Sequence, residues 1–545
     1  MVKKCYNRVL SELMITLLAI TLMLTCFSIT AGAEVKSTFI MGDEAGGGIT
    51  VEPDCGYGEQ ADGLKYGFMD IDDKSTLKDG RFDGFSDDII TYLKKGKING
   101  TSYVTADYDK YDVETLSKFG EGVMPVRFSI GADANAYYTV TVTVVNTSET
   151  DSTEISLFSE KRHFILYKHT LEAGETITKT WNVNLVGQYY NSSGNYNDDA
   201  INIAVAGKNA GLVSVEIEKC ENVGKTAWLL NDSTGDDVEA SLPFFDLSSR
   251  GGVGQAMAKY INPEIAICNH GEGGLKSSDT KHFDRVVENM RSGDYMFVQY
   301  GFNGETTDSL KKNLPRYYNA AHEKGVKLVV VSTTERHSSQ FWSSGVWKPS
   351  NANIAKAGKE FVEDMIENQG AEDIAFIDLN TEINKWMNTV APAVMAQRQR
   401  AGFDDTDVNR SSMDYYYWVT RTVGIDNIHM NNAGADNGGY ILLNEAKRIA
   451  DTGNSENATK SERIQANVLS ELVENMSSEQ PYSISDDIVA KGWAPNDAYP
   501  YPLSSDVVYE YPIYVKDTAV SEADRMCVIF FLMIRRPPRS TLFPY

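Results

Sequence analysis

The hydrophobic pattern changes period near residue 225, and this change divides the chain into two kinds of architecture. Before it, Tyr138-Thr-Val-Thr-Val-Thr-Val-Val145 alternates threonine with valine. A period of two sends successive side chains to opposite faces, so this run predicts a half-buried strand. Phe164 to Tyr167, Ile177 to Val186, Ile201 to Val205 and Leu212 to Ile217 predict further strands, separated by turn residues such as Ala173-Gly174-Glu175. Short strands at regular spacing predict an N-terminal all-β sandwich, jelly-roll-like, over residues 34–222. The glycine-rich opening (Gly42 to Gly48, then Gly56-Tyr57-Gly58) suits tight loops at one end of it. His163 and His169 lie near a strand without an evident partner, and read as surface or core histidines.

From Thr226 onward, strands alternate with helical segments. Thr226 to Leu230, Glu264 to Cys268, Asp294 to Tyr300, Lys327 to Ser332 and Ile374 to Asp378 read as strands. Helical patterns lie at Gly252 to Tyr260, Asp284 to Met290, Asp308 to Glu323, Ile354 to Gln369 and Tyr440 to Asp451. This alternation predicts a three-layer α/β/α domain with a mainly parallel sheet over 223–455. In such a sheet the loops at the carboxyl ends of the strands share one face. Ser233, Gly274 and Asn303 each follow a predicted strand, so all three are expected to converge there.

Composition bounds the partners and the compartment. The chain has 545 residues, 51 basic and 76 acidic, for a net charge of −25. That charge argues against nucleic acid and against an anionic membrane surface as partner. Lys3, Lys4 and Arg8 precede an apolar run, Leu13 to Phe27, and Ala31-Gly32-Ala33 has the form of a cleavage site. Residues 1–33 are therefore expected to be a signal peptide, and the protein to be secreted and extracellular, or periplasmic in a Gram-negative source. Cys55, Cys220, Cys268 and Cys527 remain after its removal and lack metal-ligand spacing. A Cys55–Cys220 bridge would join the two ends of the first domain, though spacing alone does not establish one. Residues 456–527 read as a polar C-terminal extension. From 528 the sequence resembles the translation of adapter read-through, so 528–545 is expected to be a non-native tail.

Chemistry concentrates in four short blocks. Asn231-Asp232-Ser233-Thr234 follows a strand, where a sharp turn can expose a serine hydroxyl. Asn269-His270-Gly271-Glu272-Gly273-Gly274 follows the next, then Gly301-Phe302-Asn303-Gly304, and last Asp426-Asn427-Ile428-His429. Any one of these is ordinary turn or capping chemistry. In this order they resemble the blocks of the SGNH (GDSL-type) hydrolases, from about residue 225 to 450. The closest resemblance is to bacterial rhamnogalacturonan acetylesterases, supported by Gly293-Asp294-Tyr295 and Glu335-Arg336-His337. Such enzymes often carry an N-terminal sandwich similar to carbohydrate-binding modules. The chain departs from the family pattern at Asn231, Phe302, Gly304 and Leu275-Lys276, which alters the pocket wall but removes no reacting group.

The resemblance implies a secreted carbohydrate esterase that removes O-acetyl groups from plant cell-wall polysaccharide, most directly rhamnogalacturonan. Ser233 would be the nucleophile, His429 the base and Asp426 its orienting carboxylate. Ser233, Gly274 and Asn303 would form the oxyanion hole. His270 and His337 are candidate substrate contacts. No cofactor and no metal is expected. The partner would be an acetylated polysaccharide, with a possible carbohydrate contact by the N-terminal domain. Acetylated xylan is the second substrate, and a non-catalytic sugar-binding protein the second class. Asp236, Asp237, Glu272 and Glu305 lie near the blocks and would repel an acidic polymer unless they pair locally.

Overall fold

The computed structural model describes residues 36–42, 47–69, 93–107, 125–160, 163–190, 194–195, 199–237, 250–400, 413, 416–420 and 424–484. The expected signal peptide and the expected non-native tail lie outside the described residues. The fold mixes α and β, with several separate sheets.

Residues before 220 form a seven-stranded sheet, a six-stranded sheet and a short two-stranded pair, Tyr189–Tyr190 with Gly194–Asn195. In the first, Tyr137–Asn146 pairs antiparallel with Thr176–Asn184 on one side and Ala210–Lys219 on the other. Burial alternates along Tyr137–Asn146: Val140, Val142 and Val144 are covered, and Thr139, Thr141 and Thr143 only partly. In the second sheet, Ala200–Ala206 lies between Thr153–Ser159 and Val126–Gly131. The inward valines of the first sheet meet Phe128, Leu157 and Ile203 of the second in one apolar cluster. Each such valine, fully buried, contributes about 1.5–3 kcal/mol relative to an exposed one.

The second half is built on a five-stranded sheet in the order Ala266–Asn269, Thr226–Asn231, Tyr295–Gln299, Lys327–Val331, Ile374–Ile377. Every neighbouring pair is parallel. Alternate residues enter different cores. Ala227, Leu229, Phe297, Val329 and Ile377 join a cluster with the helices Val253–Met257, Leu379–Arg400 and Asn432–Gly453. Trp228, Leu230, Val298, Val330 and Phe376 join another with Lys281–Asn289, Thr307–Lys324 and Ala352–Asn368. A parallel sheet covered on both faces loses the polar alternation of a half-exposed one, which is why these strands read as continuous apolar runs.

The two halves interlock. Phe158, Phe164, Tyr167, Ala204 and Ala206, from the outer face of the six-stranded sheet, share a core with Tyr260, Val253 and Leu443. Polar contacts seal the seam: Tyr137 donates its hydroxyl to the carbonyls of Lys225 and Glu264, both at 3.0 Å, and Asn184 Nδ2 donates to Thr226 Oγ1 at 3.0 Å.

Three features differ from expectation. Leu379–Arg400 is a long helix with Pro392 inside it, where the sequence pattern assigned no element. The stretch expected to begin a polar extension at 456, with a helical stretch around Glu462 to Met476, has its helix at Lys460–Leu469 but closes the core: Leu472, Tyr482 and Ile484 are buried in the same cluster as Leu442 and Leu443. Cys55 and Cys220 are both free thiols, so no bridge joins them. Among the described residues no helix is long and apolar enough to cross a membrane.

Candidate active site

Strand Thr226–Asn231 delivers the chain to Asp232, which is fully buried. Asp232 Oδ1 accepts from the Thr234 backbone N–H at 3.0 Å and from Thr234 Oγ1 at 2.8 Å. Its other oxygen accepts from the backbone N–H groups of Gly301 (3.3 Å) and Phe302 (3.2 Å). One carboxyl thus sets the turn that carries Ser233 and ties it to the loop that carries Asn303. Burial pushes the Asp232 carboxyl above its ordinary range, and these donors oppose the shift.

Asp426 and His429 come from the far end of the chain. They lie on strand Gly424–Asn431, in a three-stranded antiparallel sheet with Arg250–Gly251 and Tyr417–Thr420. His429 Nε2 lies 2.7 Å from Ser233 Oγ. Its Nδ1 lies 3.1 Å from Asp426 Oδ2. Asp426 Oδ1 accepts from the backbone N–H groups of Ile428 (2.7 Å) and His429 (2.8 Å), so the three-residue spacing closes on itself as a turn. Burial raises the Asp426 carboxyl, but the His429 hydrogen bond and charge and these two donors outweigh it and hold it below the ordinary range.

Gly274 and Asn303 meet on the same side. Gly274 has φ +86° and open space where a side chain would stand, a backbone conformation that favours glycine. Asn303 has φ +59° and donates its side-chain amide to the Leu275 carbonyl at 3.1 Å. Gly273 lies over the serine: a Cβ there would stand 3.8 Å from Ser233 Cβ. All four expected blocks are therefore brought to one place, with Ser233, Asp426 and His429 joined in series.

The acidic residues near the blocks each have a local partner. Arg250 Nη2 donates to Asp236 at 3.1 and 3.3 Å. Burial pushes the Asp236 carboxyl up to about 6, against the charges of Arg250 and His429. His163 Nε2 lies 2.8 Å from Asp237 Oδ2, and His282 Nε2 lies 2.9 Å from Glu272 Oε2. Burial lowers the His282 imidazole, but Asp279 and Glu272 outweigh it and raise it to about 9. Glu305 Oε2 accepts from the Ser277 backbone N–H at 2.7 Å.

Cations flank the same loops. The Arg336 guanidinium stands 4.9 Å over the Phe302 ring, where Asp426 and Glu335 feel its charge. Exposed Lys276 reaches the neighbourhood of Gly304, its Nζ 3.5 Å from where a Cβ would stand. Sequence reasoning picked out neither Arg250 nor the Asp236 pair, because nothing local marks a contact made across 14 residues.

His270 and His337 do not take the place expected of substrate contacts. His270 is 1% exposed and packs against Trp228, with ring centroids 5.6 Å apart. His337 is fully buried, stacked on Tyr417 at 4.9 Å and beside Trp347 at 5.3 Å. Its backbone N–H donates to the Asn427 carbonyl at 2.8 Å, which braces the strand that carries Asp426 and His429. Among the described residues no group of three or more His, Cys, Asp or Glu is placed to hold a metal ion.

No protein-family model matches the chain, and no curated protein matches it. Among solved structures it is similar to a Bacillus subtilis protein, at 18% identity over 76% of this chain and 98% of that one, with a TM-score of 0.33. It is similar to a family two carbohydrate esterase from Cellvibrio japonicus at 8% identity, 47% and 82% coverage and a TM-score of 0.21. An acetyl xylan esterase from Geobacillus stearothermophilus is similar at 16% identity, 41% and 95% coverage and a TM-score of 0.25.

Proposed function

We propose that the chain is a serine ester hydrolase of the SGNH type that removes O-acetyl groups from plant cell-wall polysaccharide, rhamnogalacturonan before xylan. The observation that carries this reading is the placement of His429 between the two other groups, its Nε2 2.7 Å from Ser233 Oγ and its Nδ1 3.1 Å from Asp426 Oδ2. A serine hydroxyl is a weak nucleophile until a base takes its proton. Here Ser233 attacks the acetyl carbonyl carbon while its proton passes to His429. The imidazolium that forms is stabilised by the Asp426 carboxylate, which His429 and the two backbone donors hold below its ordinary range. His429 returns the proton to the sugar oxygen, the carbon–oxygen bond breaks, and an acetyl-enzyme remains. Water then attacks the acetyl group, again giving its proton to His429, and acetate leaves as Ser233 is restored. The backbone N–H groups of Ser233 and Gly274 and the Asn303 amide serve as oxyanion donors. Each such donor is typically worth about 3–4 kcal/mol in the transition state.

The cations beside the Asn303 block support an acidic polymer over neutral xylan, against the chain's net charge of −25. Asp236, Asp237, Glu272 and Glu305 are each engaged by a neighbour, while Arg336 and Lys276 stand beside the block that carries Asn303. In the same reading, residues 34–222 are a carbohydrate-binding-like sandwich, 223–455 the hydrolase domain, and the protein is secreted. The test compares the mature chain with Ser233→Ala for acetate release from acetylated rhamnogalacturonan, acetylated xylan and a small activated acetate ester. Release that disappears in the variant supports the esterase, and the preferred polymer decides the substrate. No release from any of the three overturns it and leaves a sugar-binding protein.

A further inference from the structure

The N-terminal half touches the nucleophile's turn through a chain of side chains. Strand His163–Leu171 belongs to the six-stranded sheet, and its first residue is paired with Ser159 in the ladder. The His163 side chain leaves that sheet and reaches Asp237, its Nε2 2.8 Å from Oδ2, with both side chains at most 10% exposed. Asp237 Oδ1 accepts from Asn269 Nδ2 at 2.8 Å. The same amide nitrogen donates to the Gly235 carbonyl at 2.8 Å. On its other side Asn269 Oδ1 accepts from Asn231 Nδ2 at 2.9 Å and from the Gly271 backbone N–H at 3.1 Å. Asn231 directly precedes Asp232 and Ser233, and a Cβ on Gly271 would stand 1.8 Å from Asn231 Oδ1.

Resting on the esterase reading above, we propose that His163 and Asp237 are positioning residues for the catalytic serine, so that the N-terminal half is a working part of the active site rather than a tethered binding module. The argument is geometric. Asn269 holds two segments at once: the turn 231–237, which carries Ser233, and the loop 269–277, which carries Gly274. Both supply oxyanion donors in the proposed mechanism, and their separation fixes the size of that hole. A primary amide can rotate end for end, exchanging donor for acceptor. An acceptor carboxylate at one end fixes the Asn269 amide nitrogen toward Asp237 and its oxygen toward Asn231. His163 in turn keeps the Asp237 carboxyl aimed, by donating to the oxygen that Asn269 does not use. Buried amide and carboxyl groups have strong reason to keep every partner, because an unpaired one has given up its hydrogen bond to water without a replacement.

Three variants and two readouts test this. His163→Ala removes the donor, His163→Gln restores an N–H at a similar reach, and Asp237→Ala removes the acceptor. The first readout is hydrolysis of 4-nitrophenyl acetate. Displacing an oxyanion donor by a fraction of an ångström acts on the transition state and not on ground-state binding. His163→Ala and Asp237→Ala are expected to lower kcat about 10- to 100-fold with KM within about twofold, and His163→Gln to recover kcat to within about threefold. The second readout is amide hydrogen exchange over 231–237 and 269–277, which needs no activity. Faster exchange in both segments is expected in the two alanine variants and near-native exchange in His163→Gln. Unchanged kcat in both alanine variants, or equal loss in His163→Ala and His163→Gln, overturns the proposal. If the wild-type protein hydrolyses nothing, the esterase reading fails alone, and the exchange pattern still decides whether His163 orders the serine turn.

Discussion

Strand Tyr137–Asn146 and strand Thr226–Asn231 solve the same burial problem in opposite ways. The first alternates, with valines inward and threonines on a partly exposed face. The second is buried at every residue. An alternating strand leaves one face to solvent, where polar side chains find water. A strand buried on both faces must end in polar groups that find partners inside the protein. Asn231, Asp232, Ser233 and Thr234 are all at most 7% exposed, and so are Ser332, Thr333, Thr334 and Glu335 after Lys327–Val331, two places along the same sheet. The candidate site residues of the second half thus sit where buried polar groups need partners inside the protein. The threonine face of the first half carries no such requirement, and substitutions should separate the two regions by an order of magnitude in free energy.

The largest effect on stability is expected at Asp232. Its carboxyl serves the backbone N–H groups of Thr234, Gly301 and Phe302 and the Thr234 hydroxyl, all in the interior. Asp232→Ala strands those donors and should cost about 3–5 kcal/mol. Equilibrium urea unfolding measures it, and a loss under 1 kcal/mol would mean that water replaces the carboxyl and the turn is not rigid. Because the same group ties Ser233 to the Asn303 loop, esterase activity should fall in the fraction that stays folded.

Glu335 probes the same rule through pH. It is 1% exposed and accepts from Ser350 at both the backbone N–H (2.7 Å) and the hydroxyl (2.5 Å). Burial outweighs these donors and pushes its carboxyl from 4.5 up to about 7. Between those values the folded chain keeps a proton that the unfolded chain releases. Stability from this group is therefore fully present below pH 4.5, falls as pH rises, and is lost above pH 7. The span is about 3 kcal/mol at 1.4 kcal/mol per unit. Glu335→Gln cannot titrate, so its stability relative to wild type should improve by that amount between pH 4.5 and 7.5. Parallel stability–pH curves for the two proteins would show that Glu335 ionises as freely as in water.

How much of this was legible follows from the same contrast. Thr226 to Leu230 was readable because an apolar run before a cluster of turn residues has few other folds, and it lies within Thr226–Asn231. Tyr138 to Val145 was readable because one face is half open. Thr153–Ser159 and Val126–Gly131 were not, because polar residues interrupt their apolar runs: Thr153, Glu154, Ser156 and Ser159 in the first, Ser129 and Gly131 in the second. Arg127, fully buried within the second of these strands, further hides the apolar signal. Leu379–Arg400 was hidden by Pro392, a residue that normally ends a helix, here retained inside one whose Leu379, Ile383, Met387 and Val394 are anchored in the core. At the candidate site the residue types and their order could be read, but not the contacts made by distant chain. The His163–Asp237 pair joins residues 74 apart, and no local pattern announces it.

The smallest effects belong to the threonine face, where the comparison can be made within one strand. Thr143 Oγ1 lies 2.9 Å from Thr178 Oγ1 across the ladder, and Thr141 makes the same contact with Thr180. Water competes for both hydroxyls, so the pair adds little, and Thr143→Val keeps the β-branch that suits a strand. Its effect on unfolding free energy should stay within about 0.5 kcal/mol. Val142→Thr makes the opposite exchange one residue away, on the covered side. There the new hydroxyl meets apolar neighbours of both sheets and finds no ready acceptor, so about 1–3 kcal/mol should be lost. Equal effects from the two variants, measured in the same urea titration, would mean that the two faces do not differ in solvation. The division between a tolerant outer face and a constrained interior would then have to be abandoned.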